Sequence, residues 1–518
     1  MSCLLEKFRF ALPYFLIHTK KILLIFVFAL ACEICGAKPK IISSEPCEYR
    51  DVSCDFFGYQ KWFKDEISCG HAEEDLDYLV YLLKTGYSGY GLMVEEGFDE
   101  NNFKNEILKN LNSKDYVSTE YFAEICKDKL KPFINDSHFQ IIGKRNVYTL
   151  SEKFICYWSD CFIEKKGDKF YSINCKSNVP DGLEYKGDLK NLFYYPAKGK
   201  NIYRIGALSS KKLQNIEISF NDKIYEIEVK EDGAIEKTSA RYKTLETDDS
   251  AYIALNSFYL PYENSPNRKT MDIIFNKFID CGNKYKNKKN IILDMRSNEG
   301  GNAAYLSAMF FNLYSKNKQK NNNKIKEDMD KWFVSSFSFR ENIVSPLTCE
   351  AAYLLKTKRN EKISRAERIL YTRIKKNPEK RIEKSGYEKS RYFKGKSFFA
   401  GKIIILTDRN SCSAGEIAIP LAKDIFGDKN VLSIGENTFG AVSSWNTMAI
   451  CLPNSKIGIN TAFAKNLMLD KYKNWHGEGK GFYPDYWSTG EDLNETIFLA
   501  TKDEAMKEKL GKIGERLL

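Results

Sequence analysis

The sequence predicts an α/β protein whose core is a buried, mostly parallel sheet. From about residue 250, apolar runs alternate with helical patterns: Asn290–Met295 precedes a helix over Ala303–Tyr314, and Lys402–Thr407 precedes a helix over Glu416–Phe426. Unbroken apolar strands followed by helices are typical of sheets covered on both faces. The 518 residues allow two to four domains, and 43% hydrophobic content excludes a disordered chain.

Two regions of different character precede this core. Apolar residues recur at helical spacing between 72 and 130, where Gly86 ends one run and Ser118 offers a cap for another. Between 148 and 235, short β-branched and aromatic runs are separated by turn pairs such as Gly167-Asp168. We therefore predict a helical N-terminal domain over 45–147, a β-rich module over 148–240 and the α/β core over 241–518.

The first 37 residues are predicted to be an export signal. Two lysines precede ten apolar residues, Ile22 to Ala31, which are too few to span a bilayer and end in the small-x-small form of a cleavage site. Cys32 follows, so lipidation of this cysteine is one alternative, and an uncleaved membrane anchor is another. The prediction is an exported protein, periplasmic or attached to the cell envelope of a bacterium.

The positive charge of the chain is concentrated in one segment. Residues 316–396 contain 23 Lys/Arg and 10 Asp/Glu, whereas the whole chain has a net charge of +11. The remainder is close to neutral, so the sequence does not predict a nucleic-acid partner. The segment interrupts the α/β core either as a solvated insertion or as a surface for an acidic partner or lipid headgroups.

The cysteines favour disulfides over a metal site. Beyond the targeting segment no two cysteines have C-x-x-C spacing, and no histidine lies at a zinc-finger distance, so we predict neither a metal nor another cofactor. Disulfides suit an exported protein, and Cys47, Cys54 and Cys69 are the favoured group.

Three stretches contain residues suited to catalysis. Thr407–Glu416 is a small-residue turn between a strand and a helix, which exposes a serine beside backbone N–H groups; Ser411 and Ser413 are both candidates, and either also suits a helix cap. The pair Gly300-Gly301 allows N–H groups to face a developing oxyanion. His138, one of four histidines, is the candidate base, although a lone histidine is more often surface or core filler.

Five motifs together identify a family. In order they resemble the D-x-H, L-D-L-R-x-N-x-G-G, S-x-S-A-x-E, G-E-x-T-x-G and E-G-x-G-x-x-P-D elements of the carboxyl-terminal processing and tricorn-type serine peptidases. The matching segments are Asp136–Phe139, Leu293–Gly301, Ser411–Glu416, Gly435–Gly440 and Glu478–Asp485. The resemblance implies a crotonase-like ββα sheet core, a polypeptide substrate, no cofactor and Ser413 as the nucleophile. It also implies a PDZ-like module over 148–240, where Lys166–Asn174 resembles the start of such a module.

Two departures from the family pattern bear on the mechanism. The Ser–Lys branch has a lysine directly after G-E-x-T-x-G, and this chain has Ala441. The resemblance to the tricorn-like branch then implies that His138 takes the proton of Ser413, with Ser137 and Glu478 orienting the site. Glu299 is the second departure, because an inward carboxylate would oppose an oxyanion. We expect it to point outward, leaving Gly300 or Gly301 and Ala414 as N–H donors.

The sequence therefore predicts an exported serine peptidase that acts on polypeptides. One alternative is a catalytically inactive relative that binds peptides or hydrophobic ligands, which Glu299 and the missing lysine favour. Another is an esterase of the α/β-hydrolase type, which requires a histidine after the nucleophile and leaves only His476 for that role.

Overall fold

The protein is a mixed α/β structure. The computed structural model describes residues 63–514 apart from 112–114, 177, 233–241, 261–265, 317–320, 327, 330–341, 394 and 467–468, and within 345–392 it describes only 368, 372 and 382–384. The described strands form two six-stranded sheets, one five-stranded sheet and two two-stranded ladders.

Helices dominate residues 69–130, as the apolar spacing predicts. They are α1 (Cys69–Gly86), α2 (Tyr90–Glu95), α3 (Glu100–Leu111) and α4 (Thr119–Leu130). The short strands β1 (Glu66–Ser68) and β2 (Tyr116–Ser118) pair antiparallel directly before α1 and α4. The Ser118 hydroxyl accepts the N–H of Tyr121 at 3.2 Å, which confirms the predicted cap of α4.

After α4 a loop containing His138 leads into two short strands and then into a long stretch of β structure. The strands are β3 (Gln140–Ile142), β4 (Val147–Thr149), β5 (Ile155–Lys166), β6 (Lys169–Ile173), β7 (Leu192–Tyr194), β8 (Ile202–Ser209), β9 (Asn215–Phe220), β10 (Lys223–Glu228) and β11 (Lys230–Glu231). Five of them form a sheet in the order β11-β5-β8-β7 with β6 on β5, and β9 and β10 form a hairpin.

The main sheet is buried on both faces and is mostly parallel, as the apolar strands predict. Its order is β12-β13-β14-β17-β18-β21, and every pair after the first is parallel. Its strands are β12 (Tyr242–Glu246), β13 (Ser250–Leu255), β14 (Asn290–Asp294), β17 (Lys402–Thr407), β18 (Val431–Gly435) and β21 (Tyr486–Trp487).

Helices cover the two faces of this sheet. They are α5 (Arg268–Lys284), α6 (Ala304–Tyr314), α7 (Ala418–Phe426), α8 (Leu493–Thr501) and α9 (Glu504–Gly514). Alternate strand residues face opposite layers: Leu293 and Ile405 pack with α5, α6 and α7, whereas Ile292 and Ile404 pack with α8 and α9. All four are fully buried, and each such side chain contributes about 1.5–3 kcal/mol to folding.

A second sheet connects the His138 segment to the core. Its order is β16-β15-β20-β3-β4 with β19 on β20, and its remaining strands are β15 (Asn342–Val344), β16 (Ile382–Lys384), β19 (Ser444–Cys451) and β20 (Gly458–Asn466). Strand β3 pairs with β20 so that Gln140 lies opposite Asn460. The sequence did not predict this pairing, which joins segments more than 300 residues apart.

Several predictions fall on residues outside the described part of the chain. These are the export signal, Cys32, Cys47, Cys54 and most of the basic segment 316–396. A disulfide that the sequence did not predict joins Cys161 to Cys175 in the β-rich region. Among the described residues, no helix combines the length and hydrophobicity needed to cross a membrane.

Candidate active site

The site lies at one edge of the main sheet. Strands β14 and β17 are parallel neighbours, with Asp294 opposite Leu406, so the loops that follow them start at the same edge. Hydrogen bonds join the two loops. The N–H of Cys412 donates to the carbonyl oxygen of Asn298 at 2.8 Å, and the N–H of Ser297 donates to Asp408 Oδ1 at 2.9 Å.

The two candidate serines have different environments. Ser411 is fully buried, and its hydroxyl donates to the Met295 carbonyl at 2.8 Å and accepts the N–H of Asp408 at 3.0 Å. Its oxygen therefore connects the two loops. Ser413 lines an open cleft and has φ of 49°, a left-handed conformation that a non-glycine residue adopts at a cost of about 1–3 kcal/mol. Such strain is typical of an exposed nucleophile on a sharp turn.

The glycine pair permits the close approach of the first loop to this turn. A Cβ at Gly300 would lie 2.8 Å from the Cβ of Ser413, and a Cβ at Gly301 would lie 2.2 Å from a backbone carbon of Phe258. Both residues have positive φ, 88° and 122°, so glycine is required at each position.

The structure distinguishes the predicted oxyanion donors. The N–H of Gly300 donates to Asn298 Oδ1 at 2.9 Å, so Gly300 is not available as the donor, contrary to one of the two options that the sequence left open. Gly301 and Ala414 line the cleft beside Ser413. Within the described part of the chain, their N–H groups have no hydrogen-bond acceptor.

His138 lies directly opposite Ser413. Its Nε2 is 3.3 Å from Ser413 Oγ. Its backbone is fixed on both sides, because its N–H donates to Asp136 Oδ1 at 2.8 Å and its carbonyl accepts from Asn460 Nδ2 at 3.0 Å. Burial lowers the pKa of His138 below its ordinary value of 6.5, while the charge of Asp136 opposes that change. The ring is therefore neutral near pH 7 and is able to accept a proton.

Ser137 precedes His138 in the chain, and Glu478 contacts the backbone of Ser137. Glu478 Oε2 accepts the N–H of Ser137 at 3.2 Å, and Oε1 accepts the N–H of Ser443 at 2.8 Å and the Ser443 hydroxyl. The Ser137 hydroxyl donates to the Gly440 carbonyl at 3.0 Å and lies 2.8 Å from Ser151 Oγ. Neither side chain has a hydrogen bond to the imidazole. Glu478 thus fixes the loop that contains His138.

Burial, followed by the negative charge of Asp136, raises the pKa of Glu478 to about 8, against the opposing hydrogen bonds from Ser443 and Ser137. At neutral pH a large fraction of Glu478 is protonated.

Glu416 organises the nucleophile turn, a role that the motif comparison did not assign. Its carboxylate accepts four hydrogen bonds: from the Thr438 hydroxyl at 2.5 Å and from the N–H groups of Gly440, Ala441 and Ser413 at 2.7, 2.8 and 2.9 Å. Burial raises the pKa of Glu416 to about 7. The sequence signal for this role is the glutamate that ends S-x-S-A-x-E. Its spacing places Glu416 directly after the 3₁₀ turn that begins at Ser413.

The cleft has a volume of about 860 Å³ and a wall of mixed polar and apolar character. Besides His138 and Ser413, it is lined by the large side chains Phe258, Leu260, Ile417, Phe439 and Trp445. Ala441 lies at the position of the family lysine, and Glu299 is exposed on the cleft wall. His476 stacks on Tyr483 with ring centres 3.5 Å apart and does not line the cleft, which removes the basis for the esterase alternative.

Comparisons with known proteins agree with the motifs. Residues 249–487 match the model of peptidase family S41. This stretch contains the glycine pair, the nucleophile turn and Glu478, whereas His138 precedes it. No curated protein matches the chain in sequence.

Solved structures similar to the model include several peptidases. Mature CPAF complexed with lactacystin is 13% identical, with 86% of this chain and 98% of that chain covered and a TM-score of 0.38. A putative peptidase from Parabacteroides merdae is 14% identical (82% and 92% covered, TM-score 0.36). The photosystem II D1 C-terminal processing protease is 11% identical (81% and 93% covered, TM-score 0.34). The family assignment depends on the match over 249–487.

Proposed function

We propose that this chain, which belongs to peptidase family S41 through residues 249–487, is a serine peptidase that cleaves polypeptides with Ser413 as nucleophile and His138 as general base. The observation that supports it most strongly is the 3.3 Å separation of His138 Nε2 and Ser413 Oγ, two atoms from residues 275 positions apart. A serine hydroxyl is a weak nucleophile, and an adjacent neutral imidazole is the group that activates it.

The reaction follows from the positions of these groups. Ser413 Oγ attacks the scissile carbonyl carbon while His138 Nε2 takes the hydroxyl proton, and the carbonyl oxygen becomes an oxyanion. Gly301 and Ala414 line the cleft, and their N–H groups, which have no acceptor within the described part of the chain, are the donors that stabilise this charge. His138 then donates its proton to the leaving amine, and water hydrolyses the acyl-enzyme by the same steps.

A Ser–Lys mechanism has little support in this geometry. Ala441 has no ionisable group, and its N–H is bonded to Glu416. Lys480 Nζ lies 4.9 Å from the centre of the Phe154 ring. Lys153 Nζ donates to Asn410 Oδ1 at 2.9 Å, and neither lysine lines the cleft.

The finer architecture is part of the same proposal. The parallel strands with their covering helices support a crotonase-like ββα core, and the strands between 155 and 231 support a PDZ-like module over 148–240. An experimental structure in which the β5–β11 strand order differs from that of PDZ domains would refute the second assignment.

Labelling with a fluorophosphonate probe tests the proposed function. We expect the native protein to form one covalent adduct, which peptide mass mapping assigns to Ser413, and to hydrolyse an unfolded protein such as casein. Heat-denatured protein is the control and should not react, because the activated serine requires the folded site. A folded protein that forms no adduct and hydrolyses nothing, but binds peptides measurably, would establish the catalytically inactive alternative. The exposed Glu299 on the cleft wall is compatible with that alternative.

We also propose that the protein is exported and acts outside the cytoplasm. The Cys161–Cys175 disulfide supports it, because disulfides persist in oxidising compartments. We expect protein purified from its host to begin after Ala31, with a lipid on Cys32 if it is anchored to the envelope. Mass spectrometry of the N-terminal peptide measures this. A mature cytosolic protein that still begins at Met1 would refute the export proposal.

A further inference from the structure

The imidazole of His138 has an unused nitrogen. When Nε2 accepts the proton of Ser413, the neutral ring must have its own proton on Nδ1. Nδ1 is buried, and no described residue forms a hydrogen bond with it. A buried N–H without an acceptor is unfavourable, and the ring becomes harder to orient. The site therefore requires an acceptor for Nδ1 that the predicted set of Ser413, His138, Ser137 and Glu478 does not supply.

Asp136 is the group that faces this nitrogen. Its side chain is fully buried, and its Oδ1 lies 4.0 Å from His138 Nδ1. Its second oxygen, Oδ2, is also buried, and the Tyr87 hydroxyl lies beside the carboxylate. The Asp136 carboxylate and the unpaired Nδ1 of His138 thus occupy neighbouring positions in the same buried region.

We propose that Asp136, and not Glu478, is the carboxylate that orients the His138 ring and compensates the charge it acquires on taking the proton of Ser413. This inference rests on the proposed peptidase function. Asp136 acts through His138, so it is a positioning residue. The 4.0 Å separation exceeds a hydrogen bond, and we expect it to shorten when substrate fills the cleft, as catalytic contacts commonly do.

The other candidates have their acceptor atoms engaged. Both oxygens of Glu478 accept from backbone N–H groups, those of Ser443 and Ser137. The Ser137 hydroxyl lies against the Gly440 carbonyl. The charge of Asp136 acts on both neighbours, since it raises the pKa of His138 and, after burial, that of Glu478. A carboxylate close enough to influence the imidazole in this way is close enough to stabilise the imidazolium.

Three other ionisable groups lie around the site. Tyr87 follows the C-terminal end of α1, and its hydroxyl contacts Asp136. Burial, followed by the charges of Asp136 and Glu478 and the hydrogen bond to Asp136, raises the pKa of Tyr87 well above the ordinary value. Tyr87 is thus neutral at the pH of the assay. Cys412 and Glu299 lie on the cleft wall. The charge that acts on the pKa of His138 is that of Asp136.

The test compares Asp136→Asn with Glu478→Gln by two readouts. Asparagine keeps an oxygen for the His138 N–H but removes the negative charge, so the loop should keep its shape. We expect the pKa of His138 to fall by about one unit or more and kcat to fall about a hundredfold. The acid limb of the pH profile should move to lower pH, because the less basic imidazole stays neutral further into acid. Loss of local structure alone would not shift that limb downwards.

The pKa is measured by NMR of protein labelled at histidine. Only four histidines are present, and the His138→Gln variant identifies the resonance. Glu478→Gln is the matched control and should leave the His138 pKa within a few tenths of a unit, even if it lowers activity by loosening the loop. A fall in the His138 pKa in Glu478→Gln but not in Asp136→Asn would overturn the proposal in favour of Glu478.

The two hypotheses fail separately. If the wild-type protein has no hydrolysis that depends on Ser413, the peptidase proposal fails, while the NMR titration still decides whether Asp136 faces the ring. If Asp136→Asn does not fold, the nitrogen shifts of the wild-type neutral imidazole decide instead. A proton on Nδ1 supports the proposal, and a proton on Nε2 overturns it.

Discussion

Replacing Ser413 by alanine is expected to reduce peptide hydrolysis by about 10⁶-fold, the loss that follows removal of a catalytic serine. The change deletes one oxygen that faces the cleft and leaves the N–H of residue 413 bonded to Glu416. A positive φ is about equally unfavourable for alanine and for serine. The free energy of unfolding should therefore change by less than about 1 kcal/mol. Hydrolysis of a fluorogenic peptide and thermal unfolding measure the two effects.

Ser411→Ala is the matched control, because it removes the same atom two residues earlier. Its hydroxyl connects the two loops through Met295 and Asp408, so we expect a loss of about 1–2 kcal/mol in stability. Activity should remain within about tenfold of the wild type, since the nucleophile and base are unchanged. An equal loss of activity in both variants, or a loss in Ser411→Ala alone, would show that Ser413 is not the nucleophile.

The main sheet could be predicted from local sequence because its strands are buried on both faces. Lys402–Thr407 is apolar from Ile403 to Leu406, and the structure places a strand at those residues. The helix after it begins at Ala418, two residues later than predicted, because Ser413–Gly415 forms a separate 3₁₀ turn. That turn allows Ser413 to adopt its left-handed conformation before the helix starts.

The partner of Ser413 could not be derived from local patterns. His138 reaches it because β3 pairs with β20 and because Asn460 Nδ2 donates a hydrogen bond to the His138 carbonyl. Hydrophobic periodicity specifies which face of a strand is buried, but not which distant strand it pairs with. The motif resemblance identified His138 and Ser413 as partners, and the structure places His138 Nε2 3.3 Å from Ser413 Oγ.

The roles of the acidic residues required side-chain geometry. Asp136 and Glu416 both occur in the motifs, yet a motif does not show which oxygen faces which N–H. Glu416 is buried with four donors around its carboxylate, and Asp136 is buried with its Oδ1 bonded to the His138 N–H. Glu478 could be placed near the site from its motif, but its contact with the backbone of Ser137 is visible only in the folded structure.

His138→Ala is expected to lower kcat by a thousandfold or more, as removal of a triad histidine does in serine peptidases. Ser413 would keep its position, because its backbone is fixed by Glu416, but its hydroxyl would lose the group that accepts its proton. The measurement is kcat and KM for one peptide. KM should change little, since the large apolar side chains of the cleft wall are unaffected.

The pH dependence of the wild-type enzyme gives the second part of this prediction. The base must be neutral to act, so kcat/KM should fall as pH decreases through the pKa of His138. Burial sets that pKa below the ordinary 6.5 despite the opposing charge of Asp136, so the acid limb should have its midpoint below 6.5. Lys480→Ala and Lys153→Ala are the controls. Lys153 is the more demanding control, because burial lowers its pKa and so favours the neutral amine that a general base requires. If His138→Ala stayed active while either lysine variant lost hydrolysis, a displaced Ser–Lys dyad would replace the histidine mechanism.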